Sequence, residues 1–140
     1  MQNIIPLLTI ALLSLFPASA AIVPSQLKEM QNAAPEHLHL TVTKVEKEAV
    51  EKDGKHTFKI TVYGKLTEVV RSLTNPPLSR TVVIKYTIPN HEKTPQEGDW
   101  PALVKEGKSY EAFLSLNPAK GHYTPAAASG SFVAMKKGDS

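Results

Sequence analysis

The 140-residue chain has no cysteine. It therefore has neither a disulfide framework nor a thiol nucleophile, and a small fold made from it must hold together by its core alone. Arginine is confined to Arg71 and Arg80 and tryptophan to Trp100, so the side chains that most often anchor interfaces are few. The excess of base is slight, 16 Lys and Arg against 13 Asp and Glu. Lys44, Lys47, Lys52, Lys55, Lys59 and Lys65 interleave with Glu46, Glu48, Glu51 and Asp53, which reads as a solvated strand face and not as a polyanion groove. Glycine frames are also missing. No dinucleotide or phosphate-cradling loop is present, so no nucleotide cofactor is expected. Ser129-Gly130-Ser131 lacks the frame of a serine nucleophile elbow. His91-Glu92 opens like a zinc-protease helix, but Pro95 stands where the second histidine would be needed.

The first twenty residues contain no charged side chain, and residues 4–16 are apolar except for Pro6, Thr9 and Ser14. Such a run is too short to span a bilayer. It leads into Pro17 and Ala18-Ser19-Ala20, small residues at the positions a signal peptidase reads, so residues 1–20 are expected to be a signal peptide cleaved before Ala21. No cysteine follows to carry a lipid, and no transmembrane segment is expected after cleavage. The expected destination is the bacterial periplasm or the medium. About 120 residues then remain, enough for one domain burying roughly two-thirds of its unfolded surface.

Within that domain, residues 21–36 form an N-terminal segment in which Ser25 is expected to cap a short helix through Leu27 and Met30, ended by Ala33-Ala34-Pro35. Residues 37–135 change to a period of two. Leu38, Leu40 and Val42 face one way and His37, His39, Thr41 and Thr43 the other. Val45 is out of step, which calls for a bulge near Thr43-Lys44. Asp53-Gly54 is a hairpin signal, followed by Phe58, Ile60 and Val62 in alternation, with Gly64 marking a kink or a close approach of backbone. Val82, Ile84, Tyr86 and Ile88 define a third strand. Tyr110, Ala112, Leu114 and Leu116 define a fourth, and residues 131–135 a fifth that closes the sheet. Residues 136–140 are expected to be a disordered tail. The expected fold is all-β with one short N-terminal helix, a small five-stranded antiparallel barrel of OB type. An open sandwich or half of a lipocalin sheet would show similar alternation. Its core should comprise Leu40, Val42, Phe58, Ile60, Val62, Ile84, Tyr86, Leu114 and Phe132.

Val62-Tyr63-Gly64-Lys65 at the end of one strand, and Gly107-Lys108-Ser109-Tyr110-Glu111-Ala112-Phe113-Leu114 at the start of another, resemble the netrin-like group of OB-type barrels that includes the tissue inhibitors of metalloproteinases. The likeness covers about half of the mature chain. Those proteins carry Val-Tyr-Lys-Gly, with the last two residues in the opposite order, and a Gly-x-x-Tyr start to an apolar strand. The resemblance implies the barrel. Their disulfides have no counterpart here, and neither does the N-terminal cysteine that chelates a protease zinc, since Ala21 stands there. Protease inhibition by that route is not implied.

His37-Leu38-His39 places two imidazoles on one strand face, a pair suited to zinc or copper if a third ligand converges. No such ligand is evident from spacing, and no metal or other cofactor is expected. Glu46 and Glu48 share a strand face but lie among lysines with nothing to desolvate them for acid and base work. Nucleic acid is not expected as a partner, because acids intervene throughout and export separates the protein from cytoplasmic strands. The expected function is therefore noncatalytic binding of a protein, peptide or envelope component through loops. The alternative is a small envelope enzyme whose site has no local motif. The connections at 70–80 and 89–101 are longer than the strands require, and they carry the candidate contact residues Arg71, Arg80, His91, Asp99 and Trp100.

Overall fold

The computed structural model describes residues 23–93 and 98–136. The signal-peptide reading of residues 1–20 and all but Lys136 of the tail lie outside them. Helix α1 (Pro24–Ala33) is followed by β1 (Glu36–Lys52), β2 (Lys55–Arg71), β3 (Thr81–Pro89), β4 (Ser109–Asn117), β5 (His122–Pro125), a 3-10 turn (Ala128–Gly130) and β6 (Phe132–Ala134). The described residues are mostly β with one short N-terminal α-helix. No helix among the described residues is long and apolar enough to cross a membrane.

The helix starts one residue earlier than Ser25 would set it. Val23 is the cap residue, Pro24 takes the first helical position, where its fixed φ costs nothing, and Gln26 Oε1 accepts a hydrogen bond from Val23 N at 3.2 Å. Pro35 ends the helix by holding Ala34 extended (φ −62°, ψ 130°). Met30 and Ala34 pack with Phe113, Ala126 and Ala127 in a small second core. That cluster explains why the outward-facing Phe113 interrupts the polar face of β4.

Hydrogen bonds pass from β1 to β2, to β3, to β5, to β4 and back to β1, a ring through five of the six strands among the described residues. Two features differ from the expectation of five antiparallel strands. The pairing of β3 with β5 is parallel, at Ile84 and Tyr123, and the closing strand is β5, which alternation alone missed. His122 is the first residue of that strand. Segment β6 pairs with β4 through Ala112 and Phe132, while β5 pairs with the same strand from Leu114 onward. β5 and β6 are therefore two ends of one interrupted strand. Phe113 faces the interruption, its N–H donating to Ser131 O at 2.8 Å and its carbonyl accepting from Ala126 N at 2.9 Å.

The bulge in β1 falls where the odd step to Val45 requires it, as a register shift between Val42 and Lys44. The hairpin turns at Asp53 and Gly54, both with positive φ (54° and 79°), the backbone that Asp-Gly supplies most readily. Inside the ring, Leu40, Val42, Ile60, Val62, Ile84, Leu114 and Phe132 are buried as expected, with Phe58 and Tyr86 only partly so. Leu38, Leu66, Val82, Val104, Tyr110, Ala112 and Tyr123 complete the cluster.

Candidate functional site

A groove of about 660 Å³ lies across β2 and β3. Strand register builds its floor. Glu48 pairs with Lys59 and Lys59 with Thr87, while Glu46 pairs with Thr61 and Thr61 with Lys85, so two polar rows cross three strands on one face. Lys120, from the turn joining β4 and β5, and His122 line it as well. Lys59, Lys85 and Lys120 take part in none of the ion pairs among the described residues. Glu46 is held by a hydrogen bond from the Tyr63 hydroxyl at 3.0 Å and by Lys44 Nζ at 3.3 Å. Tyr63 foremost, then Lys44, lowers the Glu46 carboxyl below its ordinary range, so it is a carboxylate and not a proton donor. The same bond raises the Tyr63 hydroxyl.

The five loop candidates do not gather at one place. Arg71 is committed to the fold, since its guanidinium donates to Ala34 O at 2.7 and 3.0 Å and to Gln31 O at 2.8 Å at the C-terminal end of α1. Arg80 is exposed beside Thr74, Pro76 and Tyr123. His91 is exposed in a separate groove with Lys47 and Phe58. Asp99 accepts a hydrogen bond from Ser129 Oγ at 2.9 Å. Trp100 is half-buried, with an indole nitrogen that has no partner among the described residues. The residue of this segment that enters the core is Val104. The Tyr86 hydroxyl donates to Ala102 O at 2.8 Å, and Lys105 N donates to the Tyr110 hydroxyl at 3.0 Å, so two tyrosines hold the segment on either side of Val104.

The 70–80 connection is organised by a residue that spacing gives no reason to choose. Glu36, 1% exposed, accepts hydrogen bonds from Ser72 Oγ, Leu73 N and Thr74 Oγ1. Ser72 Oγ in turn accepts from Thr74 N and Asn75 N. The loop is thus built around a buried carboxylate, and it leaves Leu73 and Leu78 exposed.

His37 and His39 lie on the outer face of β1, as alternation requires. A third donor stands beside them. Glu111 of β4 pairs with His39 in register, and Glu68 of β2 flanks His39 on its other side. Neither glutamate could be found from local spacing, because each is placed by a pairing with a distant strand.

No protein-family model matches the chain, and comparison with curated proteins and with solved structures likewise gave no match.

Proposed function

We propose that the protein is an exported, noncatalytic binding domain built as an OB-type barrel, and that it takes an extended acidic segment of a protein or peptide in the groove across β2 and β3. The observation that carries this reading is the coincidence of groove and topology. OB-type barrels bind extended chains, oligonucleotides and oligosaccharides, on the face of strands 2 and 3 with the loops joining strands 1 and 2 and strands 4 and 5. Here the groove of about 660 Å³ occupies that face, with the β1–β2 hairpin arm and the Lys120 turn at its borders. Lys59, Lys85 and Lys120, without ion-pair partners among the described residues, supply the charge complementarity and outnumber Glu46 and Glu48 in the groove, and the half-buried Tyr86 supplies apolar surface beneath them. The charge-free apolar segment ending in Ala18-Ser19-Ala20 supports export, with envelope proteins as the source of the partner.

The test is affinity capture from the envelope of the native host with wild-type protein and with a Lys59→Glu/Lys85→Glu/Lys120→Glu variant. Capture of a specific partner by the wild type, lost in a variant of unchanged melting temperature, is the expected result. Equal capture by both would remove the groove from the function.

A further inference from the structure

We propose that His37, His39 and Glu111 bind one divalent zinc ion on the outer face of the sheet, with Glu68 orienting His39 from behind. The inference is independent of the groove. It rests on three adjacent strands, β4, β1 and β2, which place Glu111, His39 and Glu68 in one row, with His37 two residues along β1 on the same face.

The donor atoms already converge. His37 Nε2 lies 2.9 Å from Glu111 Oε1, and His39 Nε2 lies 3.7 Å from the same oxygen. One ligand atom from each of the three residues falls within 4.8 Å of the other two. Tetrahedral zinc with bonds of about 2.0–2.2 Å spaces its donors about 3.4 Å apart, so small side-chain rotations suffice and the backbone can stay still. The site is also sheltered, with side chains only 15%, 12% and 35% exposed for His37, His39 and Glu111. The His37 ring stacks on Phe113, centroids 4.2 Å apart, which fixes its plane against the second core.

Without a cation His37 Nε2 and Glu111 Oε1 share a hydrogen bond, but His39 is poorly satisfied. His39 Nδ1 is 3.0 Å from Glu68 Oε1, yet out of hydrogen-bond alignment, and this buried nitrogen has no partner among the described residues. If Nδ1 carries the proton and turns it toward Glu68, the lone pair of Nε2 faces the Glu111 carboxylate, and two acceptors oppose each other. A metal ion between them turns that opposition into two bonds. Glu68 then completes the carboxylate–histidine–metal relay that sets tautomer and ring orientation. Two carboxylates balance the charge of a divalent ion in a partly buried place. Two imidazoles and one carboxylate, with an open fourth position, form a zinc donor set, here spanning the β1–β4 pairing that closes the ring.

The test is calorimetric titration of zinc chloride, in a non-chelating buffer at pH 7.5, into chelator-treated protein free of histidine tags. One ion per chain, bound with a dissociation constant on the order of micromolar or tighter, is expected. His37→Ala and His39→Ala should each abolish saturable binding, Glu68→Gln should weaken it about 10- to 100-fold, and His122→Ala should leave it unchanged. Imidazole nitrogen NMR of the wild type reports the ligands without mutation, and the His37 and His39 Nε2 resonances should shift on saturation. Copper(II), which binds such ligands more tightly, should displace zinc from the same two rings. Binding no tighter than millimolar, binding retained in both histidine variants, or shifts confined to other histidines would each overturn the proposal and leave a hydrogen-bonded His–Glu cluster.

Discussion

Gly64 is buried against Leu40, and a methyl group added to it would lie 3.0 Å from Leu40 Cδ1. Its φ is not in the left-handed region, so the demand for glycine here is steric and comes from the packing of β2 on β1. Gly64→Ala should cost about 1–3 kcal/mol in urea unfolding. Combining it with Leu40→Ala should cost less than the sum of the two single changes, because the cavity left by Leu40 admits the new methyl group. This requirement was legible in the sequence, since glycine falls where the alternation calls for an inward side chain. The role of Glu36 was not legible. A glutamate at the start of a strand looks like any solvated acid until the chain returns 36 to 38 residues later and closes a loop over it. Glu111 and Glu68 were hidden for the same reason. Local spacing paired His37 with His39, but only strand register supplies acids from β4 and β2.

Helix α1 buries no residue of its own fully and has few side chains with which to hold its place. Arg71 compensates from the end of β2 by donating to the Ala34 carbonyl just past the helix and to the Gln31 carbonyl, which otherwise has only a long bond (3.3 Å) from Ala34 N. The contact also places positive charge at the negative end of the helix dipole. Arg71→Ala should therefore lower stability by about 1–2 kcal/mol and speed amide exchange throughout α1, with partner capture through the groove unaffected. Hydrogen-exchange mass spectrometry would separate these effects. Among the elements, the helix and the four longer strands were legible because each carries several turns of its own periodicity. β5 was not. Its four residues, His122–Pro125, put only Tyr123 into the core, and a single inward residue has no period. The strand exists because β3 and β4 leave a gap of one strand between them.

At the scale of the whole molecule, the ring closes through pairings remote in sequence, β1 with β4 and β3 with β5, so unfolding should release the core cluster in one step. That makes one half-buried tyrosine a reporter for the fold. Burial pushes the Tyr86 hydroxyl up to about 12 from an ordinary value of 10.0. Its contribution to stability is full below the unfolded value and is lost as pH rises through the folded one, because the unfolded chain gives up the proton first. Stability should thus fall between about pH 10 and pH 12. In Tyr86→Phe the fall should be shallower, from a lower starting stability, since the hydrogen bond to Ala102 O is gone. Melting temperatures across that range would show it. The reach of β1 matters at this scale as well. It pairs with β4 only over Glu36–Thr41, then continues alongside β2 to Lys52 as the border of the sheet. A border strand of that length is a template on which a second copy of the chain could add itself. Glu46, Lys47, Glu48, Glu51 and Lys52 occupy this stretch, and Lys47 folds its ammonium over Phe58 at 4.5 Å. Charges along such an edge oppose the zipping of neighbouring molecules edge to edge, so the interleaved lysines and glutamates of the sequence act against self-association.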